Sequence, residues 1–131
     1  MSKDVSKEWF AGAKKDLEVA ENLFRSKFYS HCLFFCHLSL EKALKAIVVK
    51  VTKTHPPFSH DLRKLADIGG VSANQKIKEF LDTASTFNIA GRYSNEKLEF
   101  YKKFNKKEKA EVYLKKTKKF ALWLEEEFLK K

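Results

Sequence analysis

The sequence predicts an all-α protein: an up-and-down antiparallel bundle of four main helices plus one short helix. Only 4 Gly and 2 Pro occur in 131 residues, too few for the many turns of an all-β fold. Apolar residues instead recur at steps of three and four along several segments, which is the helical period. No Pro-rich or Ser-rich linker divides the chain, so residues 1–131 are predicted to form one domain.

The first two predicted helices cover about residues 7–25 and 28–53. The first has one apolar stripe, made of Trp9, Phe10, Ala13, Leu17, Ala20, Leu23 and Phe24. The second contains no Gly or Pro and is apolar on most sides in its first half. Such a helix must be buried by several neighbours, so it is predicted to be the central element. It ends before Pro56, which disfavours helical dihedrals at the preceding residue.

Two further helices are predicted in the middle of the chain. A short one runs from about residue 61 to 68, begins at a cap provided by Ser59 or Asp61, and ends at Gly69-Gly70. The next begins at a capping-box pattern in residues 72–75, with Ser72 in the cap position, and presents an apolar face that extends to Phe87.

The last third of the chain is predicted to contain a connector and one helix. Residues 91–104 form an irregular or partly helical connector that includes Arg92 and Tyr93. Asn105 is the candidate cap of the final helix. The apolar stripe of that helix consists of Tyr113, Thr117, Phe120, Ala121, Leu124 and Phe128.

The chain is basic, and the excess charge is concentrated near its end. The formal net charge is +10, from 27 Lys and Arg against 17 Asp and Glu. Residues 102–119, the basic band, contain nine Lys against Glu108 and Glu111, a net charge of +7. Such a band can attract phosphate or an acidic partner, although a solvated helix face gives the same pattern.

Cysteine use and hydropathy favour a cytoplasmic protein without a membrane segment. No apolar run approaches the ~18 residues of a membrane span, and no apolar leader is visible. Cys32 and Cys36 lie four residues apart in an apolar helix. Their spacing would suit two metal ligands, but two buried, reduced thiols are the favoured interpretation. No metal or cofactor site is predicted.

Several short motifs together resemble those of the HEPN family (higher eukaryotes and prokaryotes nucleotide-binding domain). The first helix reads W-x(3)-A-x(2)-D-L-x(2)-A from Trp9, and the central helix contains E-K-A-L-K-A from Glu41. An H-D-L sequence follows at His60, and an R-Y pair at Arg92. The resemblance covers residues 9–93 and implies a helical bundle that forms a homodimer. It also implies a small nucleotidyltransferase as partner, in a toxin–antitoxin or substrate-binding pair.

Many members of this family cleave RNA with an Arg that is followed a few residues later by a His. Here Arg92 is followed by Y-S-N-E-K-L, and no His occurs after His60. The resemblance therefore implies a non-catalytic module that binds a nucleotide or RNA. Two alternatives are a ribonuclease with a non-standard base and a charge-driven nucleic-acid binder that uses the basic band. His31, His55 and His60 are the candidate bases, since His37 is expected to be buried in the central helix.

The candidate ligand-binding residues lie near predicted helix ends: Glu41, Lys42, Lys45, His60, Asp61, Arg92 and Tyr93. One hypothesis is that the cations converge on a shallow pocket for a nucleotide or RNA phosphate. Tyr93 would then stack on a base, and Glu41 or Asp61 would orient it. The alternative is that these residues form exposed ion pairs, start the short helix and anchor the connector.

Overall fold

Six α-helices, followed by one π-helical turn, make up the part of the protein that the computed structural model describes, residues 4–89 and 94–130. They are α1 (Val5–Arg25), α2 (Tyr29–Thr52), α3 (Leu62–Ile68), α4 (Gln75–Ser85), α5 (Ser94–Phe104) and α6 (Lys107–Leu124). The π-helical turn spans Glu125–Leu129. The predicted all-α class is confirmed.

Helix α2 is the centre of the bundle, as the sequence predicts. It contacts each of the other five helices. Leu33, Leu40, Leu44 and Ile47 are fully buried on it, because a helix that is apolar on most sides needs neighbours on most sides. Among the described residues, none of the helices combines the length and apolar character needed to cross a membrane.

A tight turn connects α1 to α2 and lets the two helices pack along each other. Lys27 adopts a left-handed conformation with φ 68°. The Phe28 N–H donates to the Leu23 carbonyl at 2.8 Å and the Lys27 N–H to the Phe24 carbonyl at 3.0 Å. This is a Schellman motif, which satisfies carbonyls at the end of α1 and reverses the chain.

Short caps fix the starts of α3 and α4. Asp61 caps α3, where its carboxylate accepts from the Lys64 N–H at 3.2 Å. Asn74, rather than the predicted Ser72, caps α4 and accepts from the Ile77 N–H at 2.9 Å. Leu62 and Leu65 of α3 are fully buried, so this short helix is held in place by packing.

The predicted connector contains a regular helix, which raises the number of described helices above the predicted five. Residues 94–104 form α5, and the packing of its aromatic rings explains why this segment is helical. Phe100 and Phe104 lie one turn apart and pack on the fully buried Phe87, with ring centroids 6.4 and 5.6 Å away. This packing stabilises a segment whose sequence signals a helix only weakly.

The predicted cap of the last helix is wrong. The N-cap residue of α6 is Lys106, whose side chain makes no capping hydrogen bond. The side chain of Asn105 is used elsewhere, because its amide oxygen accepts from the Ser30 N–H at 3.4 Å. Asn105 therefore connects the α5–α6 link to the start of α2.

The two cysteines are buried, unpaired thiols, as predicted. Cys32 and Cys36 are 0% exposed and pack in a second core cluster with Ala20, Ala110 and Leu114. The hydrogen bond with Cys32, together with burial, raises the pKa of Cys36 well above its ordinary value. A thiol in this state is a poor nucleophile and metal ligand.

Candidate functional site

A buried carboxylate in the middle of α2 contacts three polar side chains. Glu41 is 8% exposed. Its Oε1 lies 3.1 Å from Nε2 of His37 and 2.8 Å from Nδ1 of His60. Its Oε2 accepts from Nζ of Lys45 at 2.9 Å. We call His37, Glu41, Lys45 and His60 the Glu41 cluster.

Helical spacing and one turn of chain build this cluster. His37, Glu41 and Lys45 follow one another at steps of four, so they share one face of α2. The chain leaves α2 at Thr52 and returns through residues 53–61 to α3, which packs on α2. This return places His60, the residue before the Asp61 cap, over Glu41.

The three donors keep Glu41 ionised. Burial raises the pKa of this carboxyl, but the hydrogen bonds from His37, His60 and Lys45 together outweigh burial and lower the pKa to about 2. A buried carboxylate is stable only when such partners replace its lost hydration. Glu41 is therefore the acceptor around which the cluster is organised.

The buried imidazole of His37 connects the cluster to α4. His37 is fully buried, and its Nδ1 lies 3.2 Å from the carbonyl oxygen of Ala84. A carbonyl oxygen can only accept, so Nδ1 carries a hydrogen and donates it. This bond fixes the ring orientation and directs Nε2 towards Glu41.

Two aromatic rings lie beside the ammonium group of Lys45. Nζ of Lys45 lies 5.7 Å from the centroid of the Trp9 ring and 5.9 Å from that of Phe58. Both distances are within the range of a cation–π contact. Phe58 is fully exposed, and the side chain of His60 is 53% exposed. The cluster is therefore buried at Glu41 and open to solvent at His60.

The structure brings together only some of the predicted site residues. Glu41, Lys45 and His60 meet in the cluster. Lys42 instead pairs with Asp16 at 2.8 Å on another side of α2, and Asp61 is occupied as the cap of α3. Arg92 and Tyr93 lie outside the described residues. The binding of a ligand by these residues stays a prediction.

Sequence reasoning missed the part that His37 plays. The expectation that it is buried in the central helix is confirmed, but the ring is bonded to the site rather than packed among apolar groups only. The signal that could have revealed it is its spacing of four residues from Glu41.

A second feature, which the sequence did not indicate, is a groove between α4 and α6. It has a volume of about 850 Å³, and we call it the α4–α6 groove. Its rings contact one another in sequence: Phe80 stacks on Tyr113 with centroids 6.0 Å apart and contacts Phe120 at 5.9 Å, and Phe120 contacts Trp123 at 5.6 Å. The charged residues that line the groove are Lys76, Lys116, Lys119 and Glu79.

The lysines of the basic band lie in different environments. Lys115 pairs with Glu111 at 3.4 Å, and Lys118 pairs with Glu21 at 3.3 Å. Lys116 and Lys119 line the α4–α6 groove, and Nζ of Lys116 lies 5.5 Å from the Tyr113 ring centroid. Part of the positive charge therefore lies beside aromatic rings rather than on a uniformly solvated face.

The protein is therefore an all-α bundle that is organised around one central helix, and this helix carries a buried polar cluster. The sequence profile of the HEPN domain matches residues 6–127, so the chain belongs to the HEPN family. A search of curated proteins gives no match. Among solved structures, the fold is similar to that of TT1696 from Thermus thermophilus, with a TM-score of 0.79 and 18% identity. The similarity covers 95% of this chain and 98% of that one, and at this identity it shows the fold alone.

Proposed function

We propose that this chain is a non-catalytic HEPN module that binds RNA or a nucleotide in the α4–α6 groove. The observation that carries the proposal is the combination of exposed lysines with aromatic rings in one groove. Bases of single-stranded nucleic acid stack on aromatic side chains, while lysines attract the phosphates. The groove offers both in the exposed Lys116 and Lys119 and in the partly exposed rings of Tyr113 and Trp123. The charge of Lys45 in the Glu41 cluster, by contrast, is already matched by Glu41.

The non-catalytic role rests on the sequence that follows Arg92. The Arg and His pair of the family's ribonucleases lacks its His here, since His60 is the last histidine of the sequence. One observation favours the alternative of a relocated base. Glu41 holds Nδ1 of the half-exposed His60, and a carboxylate that orients an imidazole in this way can support general base catalysis.

The groove is tested by comparing two double variants with equal loss of charge. Lys116→Ala/Lys119→Ala removes two lysines from the groove, while Lys106→Ala/Lys107→Ala removes two exposed lysines of the band outside it. We expect the first to weaken binding of a fluorescent single-stranded oligouridylate by roughly tenfold in an anisotropy titration, and the second to have a much smaller effect.

Other outcomes of this titration separate the alternatives. Equal losses in both double variants would favour charge-driven binding along the basic band. Absence of binding at low salt would contradict the proposal. Cleavage of the RNA by the unmodified protein, lost in His60→Ala, would favour the ribonuclease with a relocated base.

We further propose that the module acts as a homodimer beside a small nucleotidyltransferase. Large apolar side chains that are more than half exposed support an interface: Phe28, Val51, Phe58, Leu98 and Leu122. Sedimentation is expected to give twice the chain mass of 15.3 kDa. Co-expression with a small nucleotidyltransferase of the same genome is expected to yield a co-purifying complex. A monomer that co-purifies with no such enzyme would contradict this part of the proposal.

A further inference from the structure

We propose that His37, Glu41 and His60 form a binding site for a divalent transition-metal ion such as Zn²⁺. One ligand atom from each of the three residues lies within 4.8 Å of the other two, and Oε1 of Glu41 lies 3.1 Å from Nε2 of His37 and 2.8 Å from Nδ1 of His60. Imidazole nitrogens and a carboxylate oxygen are ligands that Zn²⁺ takes, and three protein ligands leave a fourth position open. This inference does not depend on RNA binding in the groove.

His37 has the outer hydrogen bond that metal-binding histidines usually have. A ligating imidazole donates its other N–H to a carbonyl or carboxylate, which fixes the ring and its tautomer. In this protein Nδ1 of His37 donates to the Ala84 carbonyl at 3.2 Å. The other ring nitrogen, Nε2, is directed at Oε1 of Glu41, and it can bind a metal ion once it gives up the hydrogen that it shares with that oxygen.

Two of the three separations between the ligand atoms, those that involve Oε1 of Glu41, are close to those of a tetrahedral site. Bonds of about 2.0–2.1 Å to Zn²⁺ place tetrahedral ligands roughly 3.3 Å apart. Oε1 of Glu41 is now 3.1 Å from His37 and 2.8 Å from His60. An entering ion would need to widen these two separations by only about 0.2–0.5 Å.

His60 is the ligand that can move to fit the metal ion, and it lies where the ion can enter from solvent. It lies in the segment between α2 and α3, outside any helix, and its side chain is 53% exposed. Its ring can therefore move by a few tenths of an ångström without disturbing the core. On entry, the ion replaces the hydrogens that now lie between the two imidazoles and Oε1. The hydrogen on Nε2 of His37 leaves as a proton, because Nδ1 keeps its own, whereas in a neutral His60 ring the hydrogen moves from Nδ1 to Nε2.

Lys45 opposes the ion without blocking it. Its Nζ binds Oε2 of Glu41, whereas both histidines lie on Oε1. The ammonium holds the carboxylate in place, but its charge repels a cation a few ångströms away. Removal of this charge in Lys45→Met is therefore expected to tighten metal binding, by about tenfold or more.

Calorimetric titration of the metal-free protein with Zn²⁺ tests the proposal. We expect one ion per chain, and an affinity reduced by at least about 100-fold in His60→Ala, because even outer hydrogen-bond partners of metal ligands contribute 10- to 100-fold. His55→Ala is the matched control, since it removes an exposed imidazole from the same segment. It is expected to bind Zn²⁺ as the unmodified protein does.

Any one of three results would overturn the site. The first is the absence of saturable Zn²⁺ binding, and the second is equal affinity in His60→Ala and in the unmodified protein. The third is a thiolate charge-transfer band in the absorption spectrum of the Co²⁺-loaded protein, which would place the ion on Cys32 or Cys36. Circular dichroism of His60→Ala establishes that any loss of binding occurs in a folded protein.

Discussion

Replacement of Glu41 by Leu is expected to lower the free energy of unfolding by about 3–5 kcal/mol, the range for loss of one partner from a buried ion pair. The side chain of Lys45 is only 9% exposed. Without Glu41, its ammonium would remain buried with no carboxylate, and Nε2 of His37 would lose its acceptor. Urea denaturation of the two proteins at neutral pH measures the difference.

Helix α6 offers a matched control for this substitution. Glu111 and Lys115 have the same spacing and order as Glu41 and Lys45, but their side chains are 46% and 76% exposed. Glu111→Leu is expected to change stability by less than about 1 kcal/mol, as is typical of exposed pairs. A loss in Glu41→Leu no larger than in Glu111→Leu would contradict the central place of the cluster.

A double variant separates the buried charge from other effects of the substitution. Lys45→Met in the Glu41→Leu background removes the uncompensated ammonium and replaces it with an apolar side chain of similar length. Because apolar replacement of a whole buried pair is often neutral, this variant is expected to recover part of the lost stability. Failure to recover any would indicate that the loss comes from His37 or from packing.

The central helix could be predicted from sequence because its signal is local and strong. Residues 28–53 contain no helix breaker, and the first half of this segment is apolar on most sides. Burial of this helix by neighbours on several sides could therefore be predicted directly. Asp61, one of the two predicted caps of α3, lies at the helix start for a similar reason, whereas α4 is capped by Asn74 and not by Ser72. An N-cap needs only a side-chain oxygen within two or three residues of the orphan N–H groups.

Helix α5 and the α4–α6 groove could not be predicted, because both depend on long-range packing. Phe100 and Phe104 are ordered against Phe87, which lies just after α4. In the groove, Phe80 of α4 stacks on Tyr113 of α6. No local pattern states which distant ring a given ring will contact.

The candidate site was only partly predictable, since it combines helix spacing with a chain reversal. Helix geometry alone separates Glu41 from Lys42, because consecutive residues point about 100° apart around the axis. The same geometry aligns His37 with Glu41. The contact of His60 with Glu41 depends instead on the path of residues 53–61. The sequence indicates that α2 ends there, but not in which direction the chain continues.

Acid is expected to remove the stabilisation that Glu41 provides. Its pKa falls from an ordinary value of 4.5 to about 2 in the folded protein. Since the folded state binds this proton more weakly than the unfolded state, the contribution is complete above about pH 4.5 and is lost as the pH falls towards 2. The full loss is about 3 kcal/mol, of which about 2 kcal/mol is expected by pH 3.

Comparison with Glu41→Leu isolates this contribution from that of the other carboxylates. Both proteins lose stability in acid as their other Asp and Glu residues are protonated. Only the unmodified protein also loses the contribution of Glu41 to the free energy of unfolding. The difference in unfolding free energy between the two, followed by urea denaturation from neutral pH to pH 3, is therefore expected to shrink by about 2 kcal/mol. A constant difference over this range would show that Glu41 is not held ionised by its three donors. A difference that instead grows in acid would show that burial, rather than hydrogen bonding, sets the pKa of Glu41.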